Sequence, residues 1–441
     1  MNFPHSLFIQ RLFLFMIVFF STASSHHSII HAKEFEGQKI TFLVNSSHIV
    51  AAEKLAEWFN EETGAVVEIK RASYQDLYER TLNHFQSDSD HIDVLMAWYV
   101  TVGNLAEKGV LADLTDFLSK NKKTIQPDDF IPSIYDAYTL YRQRRWGIPF
   151  DGDIHILFYR KSLLERHNLT PPTTWNDFLK VTRTINEKEN RNGIYGAAIM
   201  ASPSPIIIVS SFMNRLGAYG GALLTEANHP TINSPEAVTA LSAMVDQCRA
   251  ALPVPLDTDF SVSHDAFLAG MVAMVEQWTD IGIMAEDPTR SMIKGDWASV
   301  QLPMGDGPSA RHAPALNAGF ILGISTKAPN RNLAEKFILF ASLPETTLRL
   351  NLIPGGGGVD PVRNSVLKSE KFRHFAPEVS RMEKAAAANV IAWPNIPEAP
   401  QLMMVLAQHL ADAIEGLTSP KQALDQAQNQ WIEILDDGNT P

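Results

Sequence analysis

The sequence from residue 39 to residue 48 reads KITFLVNSSH, an apolar run that stops abruptly at polar side chains. Its length and its β-branched and aromatic residues predict a buried strand. A helical pattern at 51–62 follows, then a strand at 65–70, a helix at 74–87 and a strand at 92–97. This β-α-β-α-β order predicts a parallel sheet that is covered by helices.

The same alternation continues along the chain. Pro and Gly cluster at 146–153, immediately before another apolar strand at 154–159, and such a cluster is typical of a chain crossing between two structural units. Residues 190–310 are richer in helical patterns, and two further helices are predicted near 401–414 and 420–435. We therefore expect an α/β protein with more than one unit.

Composition excludes several protein classes. The chain has 441 residues, of which 45% are hydrophobic, so it is neither disordered nor fibrous. Cys248 is the only cysteine, so no intramolecular disulfide can form.

The N-terminus carries a targeting signal. Arg11 precedes an apolar stretch at 12–20 and small residues at 21–25, a pattern that predicts a secretory signal peptide within residues 1–32. Cleavage after position 23 or after position 32 fits the pattern, and a short anchor helix is the alternative. No cysteine stands at the end of the predicted signal peptide, so we expect no lipid anchor and a monomer that is free in the periplasm.

The mature chain is acidic. Removal of residues 1–32 takes away one of the 37 basic residues and none of the 49 acidic ones, which leaves 36 − 49 = −13. Such a surface argues against nucleic acid or anionic lipid as a partner.

Candidate binding residues follow the predicted strands. Ligands of open α/β sheets bind beyond the carboxyl ends of the strands. Polar side chains occupy this place after the first strand, and aromatic rings that can stack on a sugar occupy it after the third. The residues are Asn45, Ser46, Ser47, His48, Trp98 and Tyr99. Helix capping is the alternative role for the serines, and core filling for the aromatics.

Asp151 and Asp153 lie in the predicted crossing segment, where carboxylates can accept hydrogen bonds from sugar hydroxyls. An ordinary Asp-Gly-Asp turn is the alternative. Trp278 ends a strand predicted at 271–276 and is the corresponding aromatic candidate further along the chain.

Two later segments complete the candidate site. Gly355 and Gly356 belong to a run of four glycines that permits close approach of backbone to a ligand, or that serves only as a flexible crossing. No Gly-Lys-Ser/Thr follows the run, so it is not a phosphate loop. Trp393 is a further candidate for closing the cleft.

A set of motifs, in their order along the chain, resembles family 1 of the extracellular solute-binding proteins of bacterial ABC importers, the group that includes maltose-binding protein. The motifs that carry the resemblance are those at 92–97, 105–114, 147–153, 157–161, 168–175, 267–274 and 419–424.

The resemblance implies a two-lobe periplasmic-binding-protein fold of type II, with a mainly parallel sheet in each lobe and the ligand cleft at the hinge. It implies a first lobe made of 33–149 and 314–352 and a second made of 150–313 and 353–441. It also implies closure over a solute and docking on a membrane permease of an ABC importer.

A sugar or polyol is the expected solute, with glycerol phosphate and polyamine as alternatives. We expect no cofactor and no metal. A secreted glycosidase that uses Asp151 and Asp153 is a remote alternative. No nucleophile-elbow, His-Glu-x-x-His or dinucleotide motif accompanies them, so we expect a binding protein and not an enzyme.

Overall fold

The computed structural model describes residues 33–87, 91–387 and 390–437. The predicted signal peptide lies outside these residues. No helix in the part that is described is long and apolar enough to span a membrane.

The strands are β1 (Lys39–Asn45), β2 (Val66–Ala72), β3 (Val94–Trp98), β4 (Leu140–Tyr141), β5 (Arg144–Arg145), β6 (Ile148–Asp151), β7 (His155–Arg160), β8 (Tyr195–Ala198), β9 (Val272–Trp278), β10 (Trp297–Val300), β11 (Ala315–Leu316), β12 (Phe320–Ile324) and β13 (Ile391–Ala392).

The α-helices are α1 (Ile49–Thr63), α2 (Leu77–Gln86), α3 (Val102–Glu107), α4 (Thr115–Lys120), α5 (Lys122–Ile125), α6 (Pro132–Thr139), α7 (Lys161–Arg166), α8 (Trp175–Glu189), α9 (Pro205–Ala218), α10 (Pro235–Ala250), α11 (Phe260–Leu268), α12 (Ile281–Met284), α13 (Arg331–Ala341), α14 (Pro344–Asn351), α15 (Asn364–Lys368), α16 (Glu370–Phe375), α17 (Pro377–Ala386), α18 (Ala399–Glu415) and α19 (Pro420–Asp437).

The first lobe is built on a five-stranded sheet in the order β2-β1-β3-β12-β6. β1 runs parallel to β2 and β3, whereas β12 runs antiparallel to both β3 and β6. Phe320, the first residue of β12, pairs with Trp98 on one side and with Asp151 on the other. The carboxyl ends of β1, β3 and β6 therefore lie at the same edge of the sheet.

The second lobe contains a four-stranded sheet in the order β10-β7-β9-β8. β8 and β9 are parallel, and β7 runs antiparallel to β9 and β10. His155, at the start of β7, pairs with Trp278, at the end of β9. The α/β two-lobe prediction is confirmed, although the strand directions are more mixed than the mainly parallel sheets we expected. Among the described strands of the first sheet, the antiparallel one is β12, with which the chain enters this sheet again after passing through the second lobe.

The chain crosses between the lobes three times. The first crossing follows β6, and the second leads from β11, which pairs with β13, to β12. The third crossing segment, residues 352–376, leads from α14 to α17. Within it, the carbonyl of Val362 accepts a hydrogen bond from the backbone N–H of Ile131 (2.9 Å), and the Arg363 side chain donates to the carbonyl of Ile125, both in the first lobe. This segment therefore keeps contact with the first lobe, whereas α17 packs on β7 and β10 of the second sheet. The lobe boundaries themselves remain a prediction.

Each lobe has its own buried centre. In the first lobe, the Phe337 ring lies 5.5 Å from that of Phe42 and 5.1 Å from that of Phe59. In the second, Arg215 and Glu276 form an ion pair whose side chains are fully buried, and Arg215 also lies 4.1 Å from the Trp175 ring. These centres make each lobe a firm support for its side of the cleft.

Candidate functional site

A cleft of about 240 Å³ lies between the lobes, beyond the carboxyl ends of the strands. Its walls come from both sheets and from the third crossing segment. The lining residues are Ser47, His48, Val50, Tyr74, Asp151, Asp153, Phe260, Ser261, Trp278, Asp280, Met284, Arg290, Gly356, Gly357, Gly358 and Asp360.

Asp151 is fixed by partners on both of its carboxylate oxygens. Its Oδ2 lies 2.6 Å from His48 Nε2, and its Oδ1 accepts a hydrogen bond from the backbone N–H of Asp360 (2.6 Å). His48 belongs to the turn after β1, whereas Asp360 belongs to the third crossing segment. Asp151 therefore connects a strand end of the first lobe with two parts of the cleft wall.

Asp153 differs from Asp151 in its backbone conformation, which lies in the left-handed region at φ 48°. That conformation is uncommon for residues other than Gly and, outside turns, often marks functional sites. The side chain hydrogen-bonds to Asp151, while its Oδ2 atom is buried with no hydrogen-bond partner among the residues described. Burial, and then the negative charge of Asp151, raises the pKa of Asp153 well above the ordinary value.

Asp280 comes from the second lobe, where it precedes α12. Burial, and then the negative charge of Asp151, raises its pKa to about 7. Asp280 Oδ1 also lacks a hydrogen-bond partner within the described ranges. Asp360 completes the acidic group, and its Oδ2 accepts a hydrogen bond from the backbone N–H of Thr279 (3.2 Å).

Aromatic rings form the apolar part of the wall. Trp278 ends β9, and its ring packs edge-on against His155 with ring centroids 4.7 Å apart. The Phe260 ring, at the start of α11, lies 5.6 Å from that of Trp278. Tyr74 follows β2 in the first lobe. Aromatic surface from both lobes thus borders the carboxylates.

The glycine run forms one side of the cleft. Gly358 has φ 70°, and a Cβ atom at this position would lie 2.5 Å from the backbone oxygen of Ser47. Only glycine allows this approach of the third crossing segment to the turn after β1. The carbonyl of Gly355 accepts a hydrogen bond from the Arg290 guanidinium (2.9 Å), which keeps that side chain at the cleft.

Six of the residues predicted from the sequence line this cleft: Ser47, His48, Asp151, Asp153, Trp278 and Gly356. As ligand contacts they remain predictions. Gly355 lies next to the cleft and contributes through its carbonyl.

Three other predicted residues make local contacts outside the cleft lining. The side chain of Asn45 accepts a hydrogen bond from the backbone N–H of Ser47 (2.9 Å) and so caps the following turn. The Ser46 hydroxyl donates to the carbonyl of Ala72 at the end of β2 (3.0 Å). Trp98 donates its indole N–H to the carbonyl of Asn317 (2.6 Å), across the second crossing.

Tyr99 and Trp393 are buried where the lobes meet. The Tyr99 hydroxyl donates to the carbonyl of Leu316 and accepts a hydrogen bond from the backbone N–H of Trp393 (2.7 Å). Tyr99 stacks on Tyr138 at 4.4 Å, and Trp393 packs on Trp431 at 5.7 Å. Both aromatics therefore lie under the crossing segments and not on the cleft surface.

Sequence reasoning missed several lining residues. Tyr74 lies beyond the carboxyl end of β2, and Asp280 follows the strand-end Trp278 by two positions, so the same strand-end rule would have found both. Phe260, Arg290 and Asp360 carry no comparable local signal, because the packing of the lobes brings them to the cleft.

Three carboxylates converge closely enough to hold a cation. Asp151, Asp153 and Asp360 are buried, and each offers an oxygen within 4.8 Å of those of the other two. The arrangement as a whole is suited to binding a small polar molecule between aromatic and acidic walls.

Comparison with known proteins identifies the family. Residues 45–347 match the family model described as bacterial extracellular solute-binding protein. The chain belongs to this family. A relative in this group, the probable amino-acid ABC transporter periplasmic-binding protein y4oP of Sinorhizobium fredii, is 23% identical over 407 residues, covering 90% of this chain and 89% of the relative.

Solved structures of solute-binding proteins share the fold. A protein from Agrobacterium radiobacter in complex with ribitol has a TM-score of 0.81 and 23% identity, and the match covers 91% of this chain and all of that one. The maltose-bound MalE3 of T. maritima has a TM-score of 0.80 and 25% identity, with 90% and 99% coverage. The protein is thus an ABC-type solute-binding protein with a MalE-like fold.

Proposed function

We propose that this protein is the periplasmic receptor of an ABC importer, which captures a sugar or polyol in the interlobe cleft and delivers it to a membrane permease. In this proposal residues 1–32 direct export, the mature protein is a monomer without a lipid anchor, and the lobes close over the solute.

The observation that carries the proposal is the pairing of aromatic faces with carboxylates in one enclosed cleft. The rings of Trp278, Phe260 and Tyr74 offer flat apolar surfaces that suit the C–H face of a sugar ring. Carboxylates such as Asp153 and Asp280 can each accept hydrogen bonds from hydroxyl groups. Sugars and polyols present both kinds of surface.

The structural relatives support the same class of solute. Beyond the ribitol and maltose complexes, similar folds are known with bound tagatose (TM-score 0.80) and with bound mannitol (TM-score 0.78). Glycerol phosphate is disfavoured because four buried aspartates outnumber His48 and Arg290 in the cleft, and such an excess of negative charge repels a phosphate.

Binding without turnover is part of the proposal. A glycosidase needs one carboxylate that is free to attack or to activate water. Asp151 has one oxygen on His48 and the other on the N–H of Asp360, so it is fully engaged. Asp153 has an oxygen that is free of hydrogen bonds within the described structure, but burial and the charge of Asp151 raise its pKa and so favour its protonated form, which does not attack. This geometry suits a fixed recognition group better than a nucleophile.

The test is a ligand screen with the purified mature protein. Thermal shift and titration calorimetry against sugars and polyols should identify a stabilising solute, because a ligand at about one hundred times its Kd adds roughly 2.7 kcal/mol to stability. Mass spectrometry should recover that solute unchanged. Chemical conversion would contradict the receptor function, and the lack of any stabilising sugar or polyol would contradict the solute class.

Two tryptophan variants test whether the ligand binds in this cleft. Trp278→Leu removes an aromatic face of the cleft, whereas Trp297→Leu removes an equally buried ring that donates its indole N–H to Glu286 elsewhere in the second lobe. We expect Trp278→Leu to weaken binding by about tenfold or more and Trp297→Leu to leave affinity unchanged. Equal effects on affinity would place the ligand elsewhere.

A further inference from the structure

The cleft is lined by more acidic than basic side chains. Its carboxylates are Asp151, Asp153, Asp280 and Asp360, and all four are buried. The two basic side chains in the wall are already engaged: His48 with Asp151, and Arg290 with a backbone carbonyl. The cleft walls therefore hold four carboxyl groups against two basic side chains, each of which already has a partner.

Two carboxylate oxygens are also without donors. Asp153 is 6% exposed and Asp280 is 7% exposed, yet Asp153 Oδ2 and Asp280 Oδ1 have no hydrogen-bond partner in the described part of the chain. Buried carboxylates are normally paired or hydrogen-bonded, since an unpaired buried charge is costly. Asp153 lies between β6 and β7 on the first crossing, Asp280 precedes α12 in the second lobe, and both residues line the cleft.

We propose that the solute bears a positively charged amino group, which Asp153 of the first crossing and Asp280 of the second lobe bind while Tyr74, Phe260 and Trp278 surround it. The inference rests on the proposed function and specifies its solute as an amino sugar or an amino polyol. An ammonium group supplies the donors that both oxygens lack, and its charge is also attracted to aromatic faces. The hydroxyl groups of the same solute would use the remaining polar wall.

The electrostatics of the cleft support this assignment. Burial and the neighbouring charges raise the pKa of Asp153, and they raise that of Asp280 to about 7, so protons partly neutralise the empty cleft near neutral pH. A bound ammonium group takes over this role, and the displaced protons leave. The groups whose charges act on Asp280 or on Asp153 are Asp151, Asp360, His48 and Arg290, together with Asp280 itself for Asp153. Tyr74 in the same wall is uncharged, because burial and the neighbouring carboxylates raise its pKa well above the ordinary value.

The experiment compares matched solutes on the mature protein. The pairs are D-glucose with D-glucosamine and D-sorbitol with D-glucamine, measured by calorimetry at pH 7 with EDTA present. We expect the amino member of at least one pair to bind about tenfold or more tightly than its neutral partner. Titration in two buffers of different ionisation enthalpy should show that binding of the amino solute releases protons.

A variant pair assigns the effect to the cleft. Asp280→Asn should weaken binding of the amino solute by about tenfold while changing the affinity for its neutral partner much less. Asp246→Asn, an exposed aspartate of α10 that is outside the cleft lining, should change neither. Circular dichroism of each variant shows that it is folded.

The outcomes separate this inference from the proposed function. Tighter binding of the neutral members supports a sugar receptor and overturns the inference that the solute carries an amino group. Binding of putrescine or spermidine, with no binding of any hydroxylated solute, supports the amino group and overturns the sugar. In a separate titration without EDTA, calcium binding that Asp153→Asn and Asp280→Asn abolish, without binding of any amine, overturns the inference in favour of a metal ion. An amine panel that produces no binding at all overturns it as well.

Discussion

Replacement of Asp280 by Asn should change how stability depends on pH. The carboxyl group is buried at the cleft, and its pKa is raised from 3.8 to about 7. Because the folded protein then holds a proton that the unfolded chain has released, stability falls as pH rises from about 4 to about 7. Above pH 7 both states are ionised at this position and the loss is complete.

The size of the effect follows from the pKa difference. Each pH unit corresponds to about 1.4 kcal/mol, so a separation of about three units makes ionised Asp280 cost about 4 kcal/mol in the ligand-free protein. Between pH 5 and pH 8, the free energy of unfolding of the wild type should fall by about 3 kcal/mol through this group. Asn has no proton to lose, so the Asp280→Asn variant should escape this loss.

Urea unfolding of the wild type and the variant at pH 5 and pH 8 measures the effect. The difference in unfolding free energy, variant minus wild type, should grow by about 3 kcal/mol in favour of the variant at the higher pH. Asp246→Asn provides the control, because the same chemical change at an exposed site should give a difference that barely varies with pH. A constant difference for Asp280→Asn, or one that shrinks as pH rises, would refute the reasoning.

Three further outcomes are expected. Glu276→Gln should destabilise the protein by about 3–5 kcal/mol in urea unfolding, because it leaves the buried Arg215 without a counter-charge, while the double replacement Arg215→Met, Glu276→Leu should cost much less; similar losses in both would contradict this. Gly358→Ala should lower the Tm more than Gly416→Ala, since both positions have positive φ but only the first meets a backbone oxygen, and the opposite order would show that the cleft loop can move aside. Burial raises the pKa of Cys248 to about 12, so Ellman's reagent at pH 8 should react with its thiol only as fast as the protein unfolds; rapid labelling of the native protein would contradict that burial.

The sequence was most informative where local pattern and tertiary position coincide. The first strand was predicted to end where Val44 meets Asn45, and the helix predicted at 51–62 corresponds to α1, because apolar periodicity directly reports which face is buried. The strand-end rule then led to His48 and Trp278 for the same reason. Both stand just after strands that the pattern predicted, at 39–44 and at 271–276.

It was less informative where distant segments meet. A strand-end aromatic such as Tyr99 can face a cleft or lie under a crossing chain, and only the contact with Leu316 decides between them. Asp360 and Arg290 reach the cleft through the third crossing segment and through the packing of the second lobe. No sequence pattern within either segment indicates that these side chains reach the cleft, so sequence analysis missed them.

The position of β12 has a consequence for the order of folding. This strand joins β3 to β6 in the first sheet, yet it follows the whole second sheet along the chain. A chain synthesised only as far as residue 319 contains both neighbours but not the strand between them, so β6 has no hydrogen-bonded place beside β3. The lobe that begins first is therefore completed late, and a single cut cannot separate the two lobes into independently folding fragments. Because β12 pairs with strands that lie far from it in the sequence, we also expect the first lobe to fold slowly, so that the newly made polypeptide stays unfolded for longer.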